Sequence, residues 1–165
     1  MIVVSNSSPL IALARIGRLS LLASLFERIQ IPIEVQHEVT MAGRGLPGAE
    51  EVRKANWIEL ATAQPLTDPS LAQACQSLGS GERGAILLAK SVSANLVLLD
   101  ESKARRVAQA AGLSVAGCLG ILEVGARRGL VTDLRELYID LLRQGIRFDI
   151  KLLQDSLARL GLPKL

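Results

Sequence analysis

Two polar residues stand directly after short apolar runs: Asn6 after Ile2-Val3-Val4-Ser5, and Asp100 after Leu96-Val97-Leu98-Leu99. Such runs are expected as strands buried on both faces of a parallel sheet. Ligands of open α/β sheets bind outside the carboxyl ends of the strands. If the two strands are neighbours, Asn6 and Asp100 reach one crevice. Glu82 and Glu38 are further candidates. Glu82 lies in Gly81-Glu82-Arg83-Gly84-Ala85, where a helix is expected to start. The helix dipole favours a carboxylate there by roughly 0.3–1 kcal/mol, which is also its ordinary structural use. Glu38 shares a helical face with Glu34. Like charges at that spacing cost about 0.2–0.5 kcal/mol, which a nearby cation would offset. The ordinary use of Glu38 is a surface salt bridge.

The chemistry of such a cluster is metal binding. Carboxylates within about 4 Å of each other repel by roughly 4 kcal/mol per pair at an effective dielectric of about 20. A fold keeps them together only with a cation or with raised pKa values. An oxygen-only donor set selects Mg²⁺ or Mn²⁺ over zinc. Ions of this kind activate water and stabilise phosphate charge in phosphodiester cleavage. Lys103, Arg105 and Arg106 follow Asp100 on one expected helix. They are candidates to hold RNA phosphates at the mouth of the crevice, set against the plainer reading of a solvated helix face.

The elements that must position these residues follow from periodicity. Strands are expected at Ile2–Ser5, Arg28–Ile31, Trp57–Leu60, Leu96–Leu99 and Leu113–Ala116. Helices alternate with them. The first is expected to be capped by Ser8, with Pro9 at its first position. Others run from Pro32 to about Val39, from Ala49 to Ala55, and over Leu71 to Leu78. Gly79-Ser80-Gly81 breaks the last of these, and a new helix is expected from Glu82. The stretch from Ala42 to Gly48 is a loop by its Gly and Pro content. Apolar stripes after Thr132-Asp133, at Leu134, Leu137, Tyr138 and Leu141 and again at Ile150, Leu153 and Leu157, mark two C-terminal helices. The alternation implies a three-layer α/β/α fold with a short central parallel sheet, with residues 1–165 as one domain and the helices of 133–165 packed on it or extending it.

Composition narrows the function classes. Hydrophobic residues make up 49% of the 165-residue chain and charged residues 21%, which suits a globular core and excludes a disordered chain. The net charge of +3 permits nucleic-acid binding without a dense basic stripe. Aromatics are only 2%, namely Phe26, Trp57, Tyr138 and Phe148, so base-stacking platforms are scarce. Cys75 and Cys118 lack a CxxC spacing and are expected as buried, reduced thiols of a cytoplasmic protein. The N-terminus has no basic n-region, and no apolar run approaches a bilayer span, so no membrane partner is expected. His37 is the single histidine, which excludes a His-based triad or an HExxH site. Arg127 and Arg128 suit a helix C-terminus. No GxxxxGK[ST] loop is present.

The segments VVSNSSPLIALARIGRLSLL, IPIEVQHEV, GSGERGAILLA, LVLLDESKARRVA and AGLSVAGCLGILEVGARRGLV occur in that order and together cover most of the chain. This ordered set resembles a branch of the PIN-domain superfamily, small prokaryotic proteins akin to VapC-type toxins. The resemblance implies a metal-dependent ribonuclease fold with an acidic quartet for Mg²⁺ or Mn²⁺. The quartet falls on Asn6, Glu38, Glu82 and Asp100, with Glu101 nearest to a further family acid. The family's small hydroxyl residue falls on Ser7, where it would steady a ligand or the scissile phosphate. A homodimer and a small antitoxin partner are implied as well. Asn6 departs from the family pattern: an amide oxygen can ligate a hard cation, but it brings no charge and cannot act as a base. An endoribonuclease toxin is therefore weighed against a non-catalytic binding module. A receiver-type phosphoacceptor lacks its acidic pair and late Lys here.

Overall fold

The computed structural model describes residues 1–42 and 45–165; Gly43 and Arg44, within the loop expected over 42–48, lie outside the described residues. The strands are β1 (Val3–Ser5), β2 (Ile29–Ile31), β3 (Ile58–Leu60), β4 (Leu96–Leu98) and β5 (Val115–Ala116). They pair in parallel in the order β3-β2-β1-β4-β5. Helices α1 (Ser7–Arg15) and α2 (Ser20–Phe26) join β1 to β2, and α3 (Ile33–His37) and α4 (Ala49–Lys54) join β2 to β3. The chain then returns through α5 (Pro69–Cys75) and α6 (Ser80–Ser91) to β4, on the far side of β1. Helix α7 (Ser102–Ala110) leads to β5, and α8 (Cys118–Arg127), α9 (Leu134–Arg143) and α10 (Ile150–Arg159) complete the fold. The order reverses between β1 and β4, so the crevice expected at such a switch point opens at their carboxyl ends.

Alternation along the central strands fills both faces of the sheet. Val3 and Leu98 point into one core with Leu10, Leu22, Ile121 and Tyr138. Val4, Val97 and Leu99 point into the other with Leu71, Ile86 and Ala104. The C-terminal stripes belong to the first core, where Leu134, Leu141, Leu153 and Leu157 are buried with the sheet residues. Both cysteines are free and buried, as their apolar neighbours suggest.

Three helices differ from the sequence expectation, two at the start and one at the end. Helix α1 begins at Ser7 behind Asn6 as N-cap, so Ser8 and Pro9 are its second and third residues rather than its cap and first residue. Proline fits there because first-turn amides have no partner within the helix. Helix α6 begins at Ser80 rather than Glu82, with Gly79 as N-cap. The reason is Glu82 itself: its Oε2 accepts the Gly79 N–H at 3.1 Å, the return half of a capping box. The helix expected from Pro32 to Val39 is α-helical only to His37 and continues as a π turn over Glu38–Ala42.

A buried hydrogen bond at 2.5 Å between Tyr138 Oη and Ser156 Oγ fastens α9 to α10. Burial pushes the Tyr138 phenol up to about 12, against the opposing pull of that bond. A folded value raised above the unfolded one means that this stability is complete below the unfolded value near 10 and is lost as pH rises through about 12. Tyr138→Phe strands the Ser156 hydroxyl and is expected to cost about 1–3 kcal/mol in urea unfolding. Adding Ser156→Ala should restore part of that loss; a double variant less stable by the full sum would contradict the pairing.

Candidate functional site

The site is built at the pairing of β1 with β4. Ser5 lies opposite Leu98, and the Asn6 N–H continues the ladder to Leu98 O at 3.0 Å. Asn6 and Asp100 therefore leave neighbouring strands on one edge of the sheet. Asn6 is buried, at 3% exposure, and its Oδ1 has no hydrogen-bond partner among the described residues. A buried amide oxygen left unpaired costs about 1–3 kcal/mol, which makes it a ready ligand atom.

Asp100 is held by α8. Its Oδ1 accepts the Cys118 N–H, the first amide of α8, at 2.7 Å. Arg105 turns back from α7 and donates to Leu99 O at 3.0 Å. Gly117 makes room for both: a Cβ there would stand 2.7 Å from Asp100 Oδ1 and 2.8 Å from an Arg105 guanidinium nitrogen. Burial pushes the Asp100 carboxyl up from its ordinary value, against the opposing pull of the Cys118 N–H and the Arg105 charge. The Cys118 thiol is pushed well up, by burial first and the Asp100 charge second, so it stays protonated.

Glu38 enters from the π turn, whose change of pitch begins at this residue. Its Oε2 accepts a short hydrogen bond from Ser7 Oγ, and its Oε1 accepts the Gly81 N–H at 3.0 Å. Among the described residues no cation pairs with Glu38; the Gly81 N–H in the first turn of α6 steadies it instead. The contact needs glycine, because a Cβ on Gly81 would stand 2.4 Å from Glu38 Oε1. Ser7, expected to steady a ligand, here orients Glu38. Glu82, on the same first turn of α6, is turned to its own cap.

Ser7 and Asp100 line one cavity of about 570 Å³ that also takes in Arg15, Glu101, Arg147 and Phe148. Sequence reasoning missed this far wall. Arg147 and Phe148 come from the connector between α9 and α10, and no local pattern ties that connector to the strand ends. Glu101 caps α7 by accepting the Lys103 N–H at 3.2 Å. Of the basic trio after Asp100, Lys103 is exposed, Arg105 is turned inward, and Arg106 lines a separate cavity beside α5. His37 is exposed.

Among the described residues, no three His, Cys, Asp or Glu side chains are gathered closely enough to hold a metal ion by themselves. The donor chemistry nevertheless fits a hard divalent cation. Every candidate atom is an oxygen, and the unpartnered Asn6 Oδ1 lies beside the strand end that carries Asp100. Among the described residues, no helix is long and apolar enough to cross a membrane.

The family model described as the PIN domain matches residues 2–162. The curated proteins hold no match to this chain. PIN domains are nuclease-type domains that generally use divalent metal ions.

The raised Asp100 value has a consequence for the metal-free protein. A carboxyl whose folded value exceeds its unfolded value stabilises the fold only below the unfolded value, and that contribution is lost as pH rises through the folded one. Asp100→Asn keeps an oxygen for the Cys118 N–H and removes the buried charge. In EDTA at neutral pH its Tm should equal or exceed that of the parent, and the difference should vanish toward pH 3. A clearly lower Tm at neutral pH would contradict this placement.

Proposed function

The chain belongs to the PIN-domain family, and on that premise we propose that it is a divalent-metal-dependent endoribonuclease. The observation that carries the proposal is the buried, unpartnered oxygen of Asn6 beside the Asp100 strand end. Asn6, Glu38, Glu82 and Asp100 are the proposed ligands, and Mg²⁺ or Mn²⁺ the proposed ion. When bound, the ion supplies the charge that activates water and stabilises the phosphate during cleavage.

The protein's own groups do the positioning. The Cys118 N–H holds Asp100 at Oδ1 and leaves Oδ2 free to ligate. The Ser7 hydroxyl and the Gly81 N–H fix the plane of the Glu38 carboxylate. Glu82 reaches the crevice by releasing Gly79, at the cost of a cap worth roughly 1 kcal/mol. Lys103, exposed at the start of α7, is a proposed contact for RNA phosphate. Arg105 acts by bracing the Leu99 carbonyl next to Asp100.

The wider reading follows the resemblance to VapC-type toxins: the toxin half of a toxin–antitoxin pair, homodimeric, cytoplasmic, with a small antitoxin partner. Asn6 itself favours a second reading, a PIN-domain binding module that has lost catalysis, since three carboxylates and an amide hold a cation less tightly than four carboxylates.

Cleavage of an unstructured RNA distinguishes the two. With Mn²⁺ the purified protein should cleave, EDTA should stop it, and Asp100→Ala should lower the rate by about 100-fold or more. Cleavage by Asn6→Asp alone, with a silent parent, would mean the second reading. Asn6→Asp has its own signature in stability. A buried carboxylate without a partner costs several kcal/mol. Metal-free Asn6→Asp should therefore melt below the parent, and Mn²⁺ should raise its Tm by more than it raises the parent's. An equal rise in both would show that residue 6 does not meet the ion.

A further inference from the structure

We propose that the crevice takes a single-stranded nucleic-acid segment, and that Phe148 and Arg147 hold the nucleotide next to the phosphate to be cleaved. This rests on the nuclease reading and adds a subsite to it. The cavity brings three chemistries together: the carboxylates of Asp100, Glu101 and Asp149, the guanidinium groups of Arg15 and Arg147, and an apolar wall of Ile11, Phe148 and Leu152. A nucleotide offers their complements, a phosphate for the cations and a base for the apolar wall. At about 570 Å³ the cavity has the size of a small-ligand pocket, which admits unpaired nucleotides and is too small for a duplex.

Phe148 is the one aromatic of the chain that lines this cavity. It is half-buried, with one side packed against the core and the other toward the crevice. The connector that carries it is fastened at both ends. Gly145, at φ +74°, closes α9 with its N–H on Leu142 O at 3.0 Å, while the Ile146 N–H meets Leu141 O at 3.1 Å. Asp149 caps α10 by accepting the Lys151 N–H at 2.9 Å. Between these anchors Arg15 donates to Gln144 O at 2.5 Å, which ties the connector to α1. The ring is thus ordered before any ligand arrives, and little entropy is lost when a base stacks on it. Arg15 also lines the cavity, and among the described residues its buried Nε has no partner.

The test reads binding apart from cleavage. Asp100→Asn protein in EDTA is titrated with a short single-stranded RNA carrying 2-aminopurine, and with the same sequence as a duplex. Binding should change the 2-aminopurine emission, and the duplex should bind more weakly. Phe148→Leu in the same background keeps apolar volume against the core. It should abolish the emission change and weaken binding by about five- to 150-fold, the range for loss of one base stack. Arg147→Ala should lower the slope of log affinity against log salt by about one. Unchanged binding and emission in Phe148→Leu, equal binding of the duplex, or no binding at all would each overturn the proposal. Cleavage by the parent that Phe148→Leu leaves untouched would defeat the subsite and spare the nuclease. Stacking on Phe148 in a protein that cleaves nothing would do the reverse.

Discussion

The parallel pairing of β1 with β4 is the constraint on which the rest of the molecule depends. Val3, Val4 and Ser5 lie opposite Leu96, Val97 and Leu98, and Asn95 and Asn6 extend the ladder at its two ends. The two segments are far apart in sequence, and closing so long a loop costs entropy that grows only slowly with its length. Burial on both faces offsets that cost, because Val3 and Leu98 serve one core while Val4, Val97 and Leu99 serve the other. Register is fixed for the same reason: a slip of one residue would exchange the faces of every side chain in the strand. The same register sets Asn6 beside the end of β4, so core packing and site geometry have one origin.

Main-chain amides at helix N-termini hold the acids around this edge. Asp100 takes the first amide of α8, Glu38 takes Gly81 in the first turn of α6, and Glu82 takes the cap amide of α6. Each pairing places negative charge at the positive end of a helix dipole. The carboxylates are thereby steadied by the main chain, with the Arg105 charge added at Asp100, and their separate amides keep them apart. Glycine is needed at two of these contacts, since Cβ atoms on Gly81 and Gly117 would collide with Glu38 and Asp100. Asn6 carries no charge to be steadied in this way, and among the described residues its oxygen has no partner.

Much of the architecture is legible in the sequence because it rests on local period. The β-branched and leucine runs mark the strands, the helical stripes mark α8 to α10, and the polar residues after Ile2–Ser5 and Leu96–Leu99 mark the edge where the crevice opens. Helix starts are less legible. Glu82 looks like the first residue of α6, but its reach back to Gly79 moves the start forward. Ser8-Pro9 looks like a cap, but the β ladder holds Asn6 extended until Ser7. Contacts between distant segments are not legible at all. Nothing near Glu38 announces Ser7 and Gly81 as its partners, nothing near Arg105 announces Leu99 O, and nothing near Phe148 announces the crevice. Each depends on a crossing of elements that only the folded chain defines.

Asn6 and the acids around it are the proposed ligands of a hard divalent cation. Electron paramagnetic resonance of Mn²⁺ titrated into the metal-free protein tests this most directly, because free Mn²⁺ gives a strong signal that binding broadens away. The account predicts saturable loss of that signal, competition by Mg²⁺, and no loss with Asp100→Ala. A signal that falls equally with parent and Asp100→Ala, or not at all, would contradict it.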